Sequence, residues 1–146
     1  GNAEPRDEGR LTVPAPMNLF TVAQRAMSSQ LVRMNAAASN LANAGSVTGD
    51  AAGAYRPMRA VFAQDLDQAT GLSTVRVQGM YRSEAEAVKR YDPGNPLADA
   101  EGNVFEAPVD QNAEMVEMLE SSRQYQNMVE ALQTAKQLML ETMRIK

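Results

Sequence analysis

The chain has 146 residues, a formal net charge of −4, no cysteine and no histidine. Its length suits one ordinary domain, and the acidic balance argues against a nucleic-acid-binding protein, which normally presents a basic face. Without cysteine or histidine, disulfides, thiolate zinc sites and nucleophilic sites built on Ser–His or Cys–His pairs are excluded.

Residues 1–16 are polar and predict a flexible arm, since Pro14 and Pro16 exclude a helix before Met17. The arm lacks the basic start and apolar stretch of a secretory signal peptide. No apolar run in the chain reaches the ~20 residues needed to span a bilayer. We therefore expect no membrane insertion, and any export must use a route that cleaves no such signal.

The segment from Met17 to Asn43 has the apolar spacing of a helix that packs along one side. Its apolar residues alternate in steps of three and four, with the polar Gln30 as an interruption, and they are Phe20, Ala23, Met27, Met34, Ala37 and Leu41. Such a helix would be ~40 Å long. We expect it to end at Asn43, Gly45 and Gly49, which tolerate the left-handed conformation of a helix terminus. The helical segment is thus assigned to residues 17–45.

The middle of the chain, residues 46–109, predicts a small β module of three to five strands. STVRVQG alternates, with Val75 and Val77 on one face and Arg76 and Gln78 on the other. YRPMRAVFAQ, EAVKRY and GNVFEA are weaker strand segments. DPGNP is predicted to be a turn in which proline fixes φ and Gly94 supplies a positive φ.

A second helix is predicted from about Asp110 to Met143, within a helical segment 110–146. Asp110 or Asn112 would cap its first turn, and at ~1.5 Å per residue it would be ~50 Å long. Acidic residues early and basic residues late complement the helix dipole. The heptad spacing has Lys136 as its exception and consists of Met115, Met118, Ser122, Tyr125, Val129, Leu132, Met139 and Met143.

Two long amphipathic helices at opposite ends of the chain should pack side by side, because a single one is marginal in water. Abundant Met (10 residues) and scarce aromatic residues (5%) also favour helix packing. The predicted fold is mainly α, an antiparallel, coiled-coil-like pair of N- and C-terminal helices with a short β-rich insert. Placing Asn43 near Asp110 would bring Arg33 level with Glu120 and Arg25 close to Glu130, in pairs worth only ~0–1 kcal/mol each.

Several apolar residues lie off these helix seams and would stay exposed on an isolated pair: Leu19, Val22, Val32, Leu119, Leu138 and Leu140. Large exposed apolar patches mark interaction surfaces. Asn35, Ser39 and Asn43 recur every four residues beside three alanines, which predicts a face that meets a neighbouring subunit. The alternative is that these asparagines only cap the end of the helix. The residues predicted for the helix seam or subunit interface are Phe20, Met27, Met34, Asn35, Ser39, Asn40, Leu41, Asn43, Met115, Met118, Tyr125, Val129, Leu132 and Met139.

Three segments occur in order along the chain: ASNLANAGSVTG, YDPGNPLADAEG and EMVEMLESSRQYQNMVEALQTAKQLMLETM. Together they resemble the axial proteins of the bacterial flagellum, the family of rod, hook and hook-associated proteins, and the last two are similar to proximal rod subunits. The resemblance runs from about Met17 to the C-terminus and leaves residues 1–16 uncovered. The sequence departs from the pattern of the family at Asn95, where histidine is expected, and at Pro108, where asparagine is expected.

This resemblance implies a structural subunit, not an enzyme, that polymerises into the hollow drive shaft transmitting torque across the periplasm. It implies export by the flagellar type III apparatus without signal cleavage. The terminal helices would form an inner layer around the channel, with the middle segment outside. The expected partners are copies of the chain and other proteins of the proximal and distal rod, the export gate and the base. No cofactor, metal, nucleic acid or small-molecule substrate is expected.

Two other function classes remain open at this point. A soluble helical hairpin acting as an adaptor or export chaperone would explain an exposed apolar face but not the β insert. A hydrolase with two carboxylates would need them ~5–10 Å apart across a cleft, and two thin elements offer no obvious cleft.

Overall fold

The computed structural model of the chain describes residues 16–68 and 71–144. Within these ranges a long helix lies at each end and short antiparallel strands lie between them, which confirms a mainly α fold with a small β module. The predicted arm falls outside the described residues except for Pro16. The elements are α1 (Pro16–Ala42), β1 (Val47–Thr48), β2 (Met58–Leu66), β3 (Ser73–Arg82), β4 (Val88–Tyr91), β5 (Asn103–Glu106) and α2 (Gln111–Arg144).

The first helix begins at Pro16, whose fixed φ and missing amide proton suit a first helical position. It ends within one residue of the prediction, but the predicted left-handed terminus is wrong. Among the described residues only Gly71 and Gly102 have positive φ. Instead, turn hydrogen bonds satisfy the terminal carbonyl groups: the amide of Ala44 donates to Leu41 at 3.2 Å, and the Asn43 side chain donates to the Ser39 carbonyl at 2.9 Å.

The β module consists of two antiparallel sheets in the described part of the chain. One has the order β1–β5–β4, and the other is the ribbon formed by β2 and β3. Each of the four segments predicted from the sequence contains a strand, whereas the two-residue β1 is too short to show a pattern. In the ribbon, Val61 pairs with Gly79 and Phe62 with Val77. This leaves Gln78 as the extra residue of a β-bulge, so the predicted alternation of β3 stops there.

The predicted turn at Asp92–Pro96 is present, since the Asn95 amide donates to the Asp92 carbonyl at 3.0 Å. Gly94, however, has no positive φ. The left-handed conformation occurs in the next turn, at Gly102, with φ 82°. There the Asp99 carboxylate accepts the amides of Glu101 and Asn103, each at 2.9 Å. These bonds fix the connection between β4 and β5.

The second helix is capped by Asp110, as predicted. Its carboxylate accepts the backbone amides of Asn112 at 3.1 Å and Ala113 at 3.2 Å, which satisfies two amides that have no partner inside the helix. Glu114 lies in the first turn and Arg144 in the last, an order that complements the helix dipole.

The two helices run side by side in opposite directions, and α1 also packs against β2 and β3. The predicted charge register is wrong by one helical turn. Arg33 forms its ion pair with Glu117, with Nε 2.6 Å from Oε1, and Glu120 acts on it only as a nearby charge. Arg25 donates to the Thr74 hydroxyl of β3 at 3.2 Å instead of approaching Glu130, because the ribbon covers that side of α1.

The buried apolar core is thin and made of small side chains. Its members among the described residues are Ala36, Ala37, Ala44, Ala54, Val104 and Ala107. Such small residues let backbones approach closely, but they bury little apolar area. Most large apolar side chains of the helices therefore stay partly or wholly in contact with solvent.

Candidate assembly surface

One buried asparagine joins α1 to the β module. The Asn40 side chain is fully buried; its Oδ1 accepts the amide of Met58 and the hydroxyl of Tyr55, both at 2.8 Å. Its Nδ2 donates to the Met58 carbonyl at 3.0 Å. One side-chain amide thus forms hydrogen bonds with both the N–H and the C=O of Met58, the first residue of β2. These bonds hold the start of β2 against α1.

The next residue of β2 is held from the other side by α2. Arg59 donates to Glu114 with Nη2 2.5 Å from Oε1, and this hydrogen bond raises the pKa of Arg59 above its ordinary value. The Glu114 side chain is only 1% exposed, while that of Arg59 is 42% exposed. We call Asn40, Met58, Arg59 and Glu114 together the junction, because they tie both helices to β2.

A second ion pair lies one turn further along α2. The hydrogen bond from Arg33 lowers the pKa of Glu117 below its ordinary value, although partial burial opposes this shift. The same bond raises the pKa of Arg33. Both groups are therefore charged at neutral pH. Because the pair is partly exposed, it contributes more to the register of the two helices than to the stability of the fold.

The face of α2 that packs on α1 differs from the predicted face by one residue at alternate positions. Glu114 and Ser121 are buried, whereas Met115 is 53% exposed and Met143 is 70% exposed. A row of buried or half-buried residues in steps of four and three runs along α2 and consists of Glu114, Met118, Ser121, Tyr125, Met128, Leu132 and Ala135. Ser122 and Val129 of the predicted seam are half-buried as well, so the seam assignment stays a prediction.

The polar row of α1 divides between internal and exposed groups. Ser39 shares a hydrogen bond with the Tyr55 hydroxyl at 2.9 Å, and Asn43 binds the helix backbone. The Asn40 side chain forms its hydrogen bonds with Tyr55 and Met58 of the same chain. Asn35 is exposed, and no hydrogen bond of its side chain occurs within residues 16–68 and 71–144. Of the predicted interface asparagines, Asn35 is therefore the one with an available amide.

The exposed apolar side chains of α2 form two separate groups. Met115, Val116 and Leu119 are exposed on the first turns, where Leu119 is 64% exposed; we call these three the start patch. The second group lies near the end of α2 and includes Leu138, Leu140 and Met143. Four of the six residues predicted to stay exposed do so, namely Leu19, Leu119, Leu138 and Leu140, whereas Val22 and Val32 are half-buried.

Leu138 and Met143 of the second group border an apolar groove of about 590 Å³ between the start of α1 and the end of α2, whereas Leu140 does not line it. Phe20, Leu132 and Met139, all predicted for the seam, come together there, with Leu19, Leu138 and Met143 at its rim. We call this cleft the groove. Side chains predicted for the helix seam therefore line an open cleft at this end of the helix pair.

The predicted site residues thus occupy three environments. Asn40 is buried, while Asn35, Met115 and Met139 are exposed. The others are half-buried along the helices: Phe20, Met27, Met34, Ser39, Leu41, Asn43, Met118, Tyr125, Val129 and Leu132. None of these placements tests whether a residue contacts another subunit, so the interface assignment stays a prediction.

Sequence reasoning missed Tyr55, Arg59 and Glu114. Nothing near Glu114 in the sequence marks it as buried. Its partner, Arg59, lies 55 residues away in a segment recognised only as a weak strand. A pair of opposite charges at that separation carries no periodic signal, so only the packed structure reveals it.

Across residues 16–68 and 71–144, no helix combines the length and apolar character needed to cross a bilayer. Nor do three or more acidic side chains in these ranges converge closely enough to hold a metal ion.

Comparison with known proteins gives consistent results. The family described as Flagella basal body rod protein matches residues 20–49, and that described as Flagellar basal body rod FlgEFG protein C-terminal matches residues 101–145. The chain is 43% identical over 131 residues to the flagellar basal-body rod protein FlgC of Salmonella typhimurium, covering 90% of this chain and 98% of that protein. It is 42% identical over 129 residues to FlgC of Yersinia enterocolitica, covering 88% and 96%. Identity to FlgC of Agrobacterium fabrum is 33% over 123 residues, covering 83% and 88%.

Proposed function

This chain belongs to the family of flagellar basal-body rod proteins, and on that premise we propose that it assembles into the bacterial flagellar rod as a structural subunit through its two terminal helices. The observation that carries the proposal is the similarity to FlgC over 90% of this chain and 98% of the Salmonella protein. The two family matches, residues 20–49 and 101–145, fall mainly on α1 and α2.

We propose that the helices form one assembling domain, residues 17–45 and 110–146, and that residues 46–109 form a module carried on it. The junction supports this arrangement, because it ties both helices to the first two residues of β2, and Arg25 adds a further bond from α1 to Thr74 of β3. Within the helical domain we propose a coiled-coil-like pairing along the seam from Glu114 to Ala135, whose steps of four and three are typical of knobs-into-holes packing.

The mechanism we propose is mechanical. Each subunit leaves apolar side chains unpaired on its helices, and neighbouring subunits cover them. Heterologous contacts that do not close on themselves extend into a helical tube. The junction contributes by holding the β module at one angle to the helices, so that a twisting force on one part reaches the other. Asn35, exposed beside the alanines of α1, and Met115 are the predicted interface residues best placed for subunit contacts.

The partners we propose are copies of this chain and other rod proteins of the basal body, with the rod spanning the periplasm after type III export. We assign the chain no catalytic role, since the family it belongs to is structural. Neither an adaptor nor a chaperone explains the similarity along the whole length of FlgC.

The experiment that tests this function is gene deletion followed by complementation. Deletion should abolish swimming and leave basal bodies without a completed rod, and the unaltered chain should restore both and be detectable in purified basal bodies. Leu41→Asp should not restore them, because it places a charge at a half-buried position between the helices. Gln126→Asp, exposed on α2, is the matched control and should restore swimming. Normal rods in the deletion strain would overturn the proposal.

A further inference from the structure

The β2–β3 ribbon is hydrogen-bonded to α1 near both of its ends. At the junction, the Asn40 side chain binds the backbone of Met58, the first residue of β2. Nearer the start of α1, Arg25 donates to the Thr74 hydroxyl of β3 at 3.2 Å. We call this second contact, formed by Arg25 and Thr74, the latch. The ribbon therefore runs back along α1, from the end of the helix towards its start.

The spacing of the junction and the latch is the same on the two elements. Arg25 and Asn40 are 15 residues apart, which corresponds to ~22 Å along a helix. Thr74 pairs with Asp65 of β2, and Asp65 is 7 residues from Met58, which corresponds to ~23 Å along a strand. The junction and the latch together therefore fix the direction of the ribbon along α1 more strongly than the junction alone.

The latch acts on both strands of the ribbon. Thr74 is only 8% exposed, and its hydroxyl, which accepts a hydrogen bond from Arg25, donates in turn to the Asp65 carbonyl of β2 at 3.4 Å. The Asp65 carboxylate pairs with Arg76 of β3, with Nε 2.7 Å from Oδ2. Two cross-strand contacts thus join β2 and β3 beside the latch, so this part of the ribbon moves as one unit.

The packing of the ribbon on α1 is interrupted beside the latch. Two open clefts of about 200 Å³ and 530 Å³ lie between α1 and this part of the ribbon, and Arg25 and Asp65 line both of them. Side-chain packing therefore does not seal the ribbon against the helix here. The hydrogen bond of the latch, which is directional, carries a correspondingly larger share of the attachment.

A β-bulge lies between the junction and the latch. Gln78 is the extra residue of β3, and a bulge bends its strand and disrupts the pairing locally. The next residue is Gly79, where an added Cβ would meet no atom within 4 Å, so no part of the described chain packs against that position. The bulge divides the ribbon into an inner half, residues 58–61 and 79–82, and an outer half, residues 62–66 and 73–77.

We propose that Arg25 is a positioning residue whose bond to Thr74 holds the outer half of the ribbon on α1. When that bond is lost, the outer half swings away from α1 about the bulge, while the inner half stays attached at the junction. The latch is thus a second fixed point of the ribbon on the helical domain, opened by the loss of one hydrogen bond. This is a property of the single chain, so it stands or falls separately from the rod function proposed above.

The chain contains no cysteine, so spin labels on introduced cysteines report single distances in the full chain. Leu31→Cys with Leu66→Cys measures from α1 to the outer half, and Leu31→Cys with Met80→Cys measures from α1 to the inner half; all three side chains are exposed. In Arg25→Met we expect the width of the first distance distribution to double at least, and the width of the second to stay unchanged. Thr74→Val removes the same bond from the other side and should give the same result.

Three further variants separate a hinge from a general loss of stability. Arg25→Lys retains a donor and should keep the outer distance narrow. Gln24→Met, an exposed neighbour that lines one of the two clefts, should leave it unchanged. Gly79→Ala stiffens the bulge and should remove at least half of the widening caused by Arg25→Met. An unchanged outer distance in Arg25→Met, equal widening of both distances, or full widening in the presence of Gly79→Ala would each overturn the proposal.

Discussion

The two ends of the helix pair are stabilised in different ways. At the junction, buried polar groups such as Asn40 and Glu114 are matched to partners on β2. At the groove, the side chains are apolar, large and left exposed, as Met143 is at 70%. One end is therefore held by polar contacts within the chain, although the second carboxylate oxygen of Glu114 is buried there without a hydrogen-bond partner, whereas the other end leaves apolar side chains exposed.

This difference gives the two ends different roles, because the junction determines the orientation of the β module and the groove offers surface for assembly. Buried hydrogen bonds are directional, so the junction permits one orientation of the β module. Apolar burial is not directional, and it grows with the area that a neighbour covers. A subunit that must carry force between its parts and also join a polymer benefits from both. We therefore expect changes at the junction to affect the stability of the single chain, and changes at the groove to affect assembly.

The largest effect should come from Arg59→Met. It leaves the carboxylate of Glu114, 1% exposed, buried without its partner, and breaking a buried pair in this way costs about 3–5 kcal/mol. Glu114→Met should cost much less, because Arg59 is 42% exposed and turns towards water. Urea unfolding of both variants measures the difference.

The double variant Arg59→Met with Glu114→Met is the matched control, because it removes both charges. It should be more stable than Arg59→Met alone, within about 1–2 kcal/mol of the unaltered chain. Equal losses in the free energy of unfolding for the two single variants would show that the junction does not bury the carboxylate. The contrast between the junction and the groove would then fail at the junction.

Asn40→Ala should have the next largest effect. It leaves the amide of Met58 without the side chain that satisfies it, while the Tyr55 hydroxyl keeps Ser39 and the Met58 carbonyl keeps Arg59 as partners. We expect a cost of about 1–3 kcal/mol in the free energy of unfolding. Asn35→Ala, five residues earlier and exposed, should change that free energy by less than about 0.5 kcal/mol. Thermal unfolding followed by circular dichroism compares them, and similar melting temperatures would contradict the prediction.

Periodicity predicted the two helices, their limits to within about a residue and four strand segments, because each depends on local spacing and capping. The buried positions of α2 were harder to predict. Scoring apolar residues selects Met115 and Met143, which are exposed, whereas the buried residues of this helix are Glu114 and Ser121. Sequence spacing alone does not show which of two adjacent residues faces inward.

The junction could not be predicted for a different reason. The sequence predicts Asn40 for the helix seam or subunit interface, yet its partners, Tyr55 and Met58, lie in a segment with no motif. Whether an amide in a helix faces solvent, a neighbouring subunit or a strand of its own chain depends on how the helix is rotated. That rotation is set by contacts distant in sequence, such as Arg59 with Glu114.

The smallest predicted effect concerns Arg33 and Glu117, which lie between the two ends. Because the folded state lowers the pKa of Glu117, the pair stabilises the folded chain above the ordinary glutamate pKa. That contribution is lost as the pH falls from about 5 through the lowered value. Both side chains are partly exposed, so it should be no more than about 1 kcal/mol. Glu117→Gln should therefore lose less stability between pH 6 and pH 3 than the unaltered chain, as measured by urea unfolding. Glu130→Gln keeps the pair and should retain the acid-dependent loss. An identical loss in Glu117→Gln and the unaltered chain would show that the pair contributes nothing, and that the junction alone fixes the register of the helices.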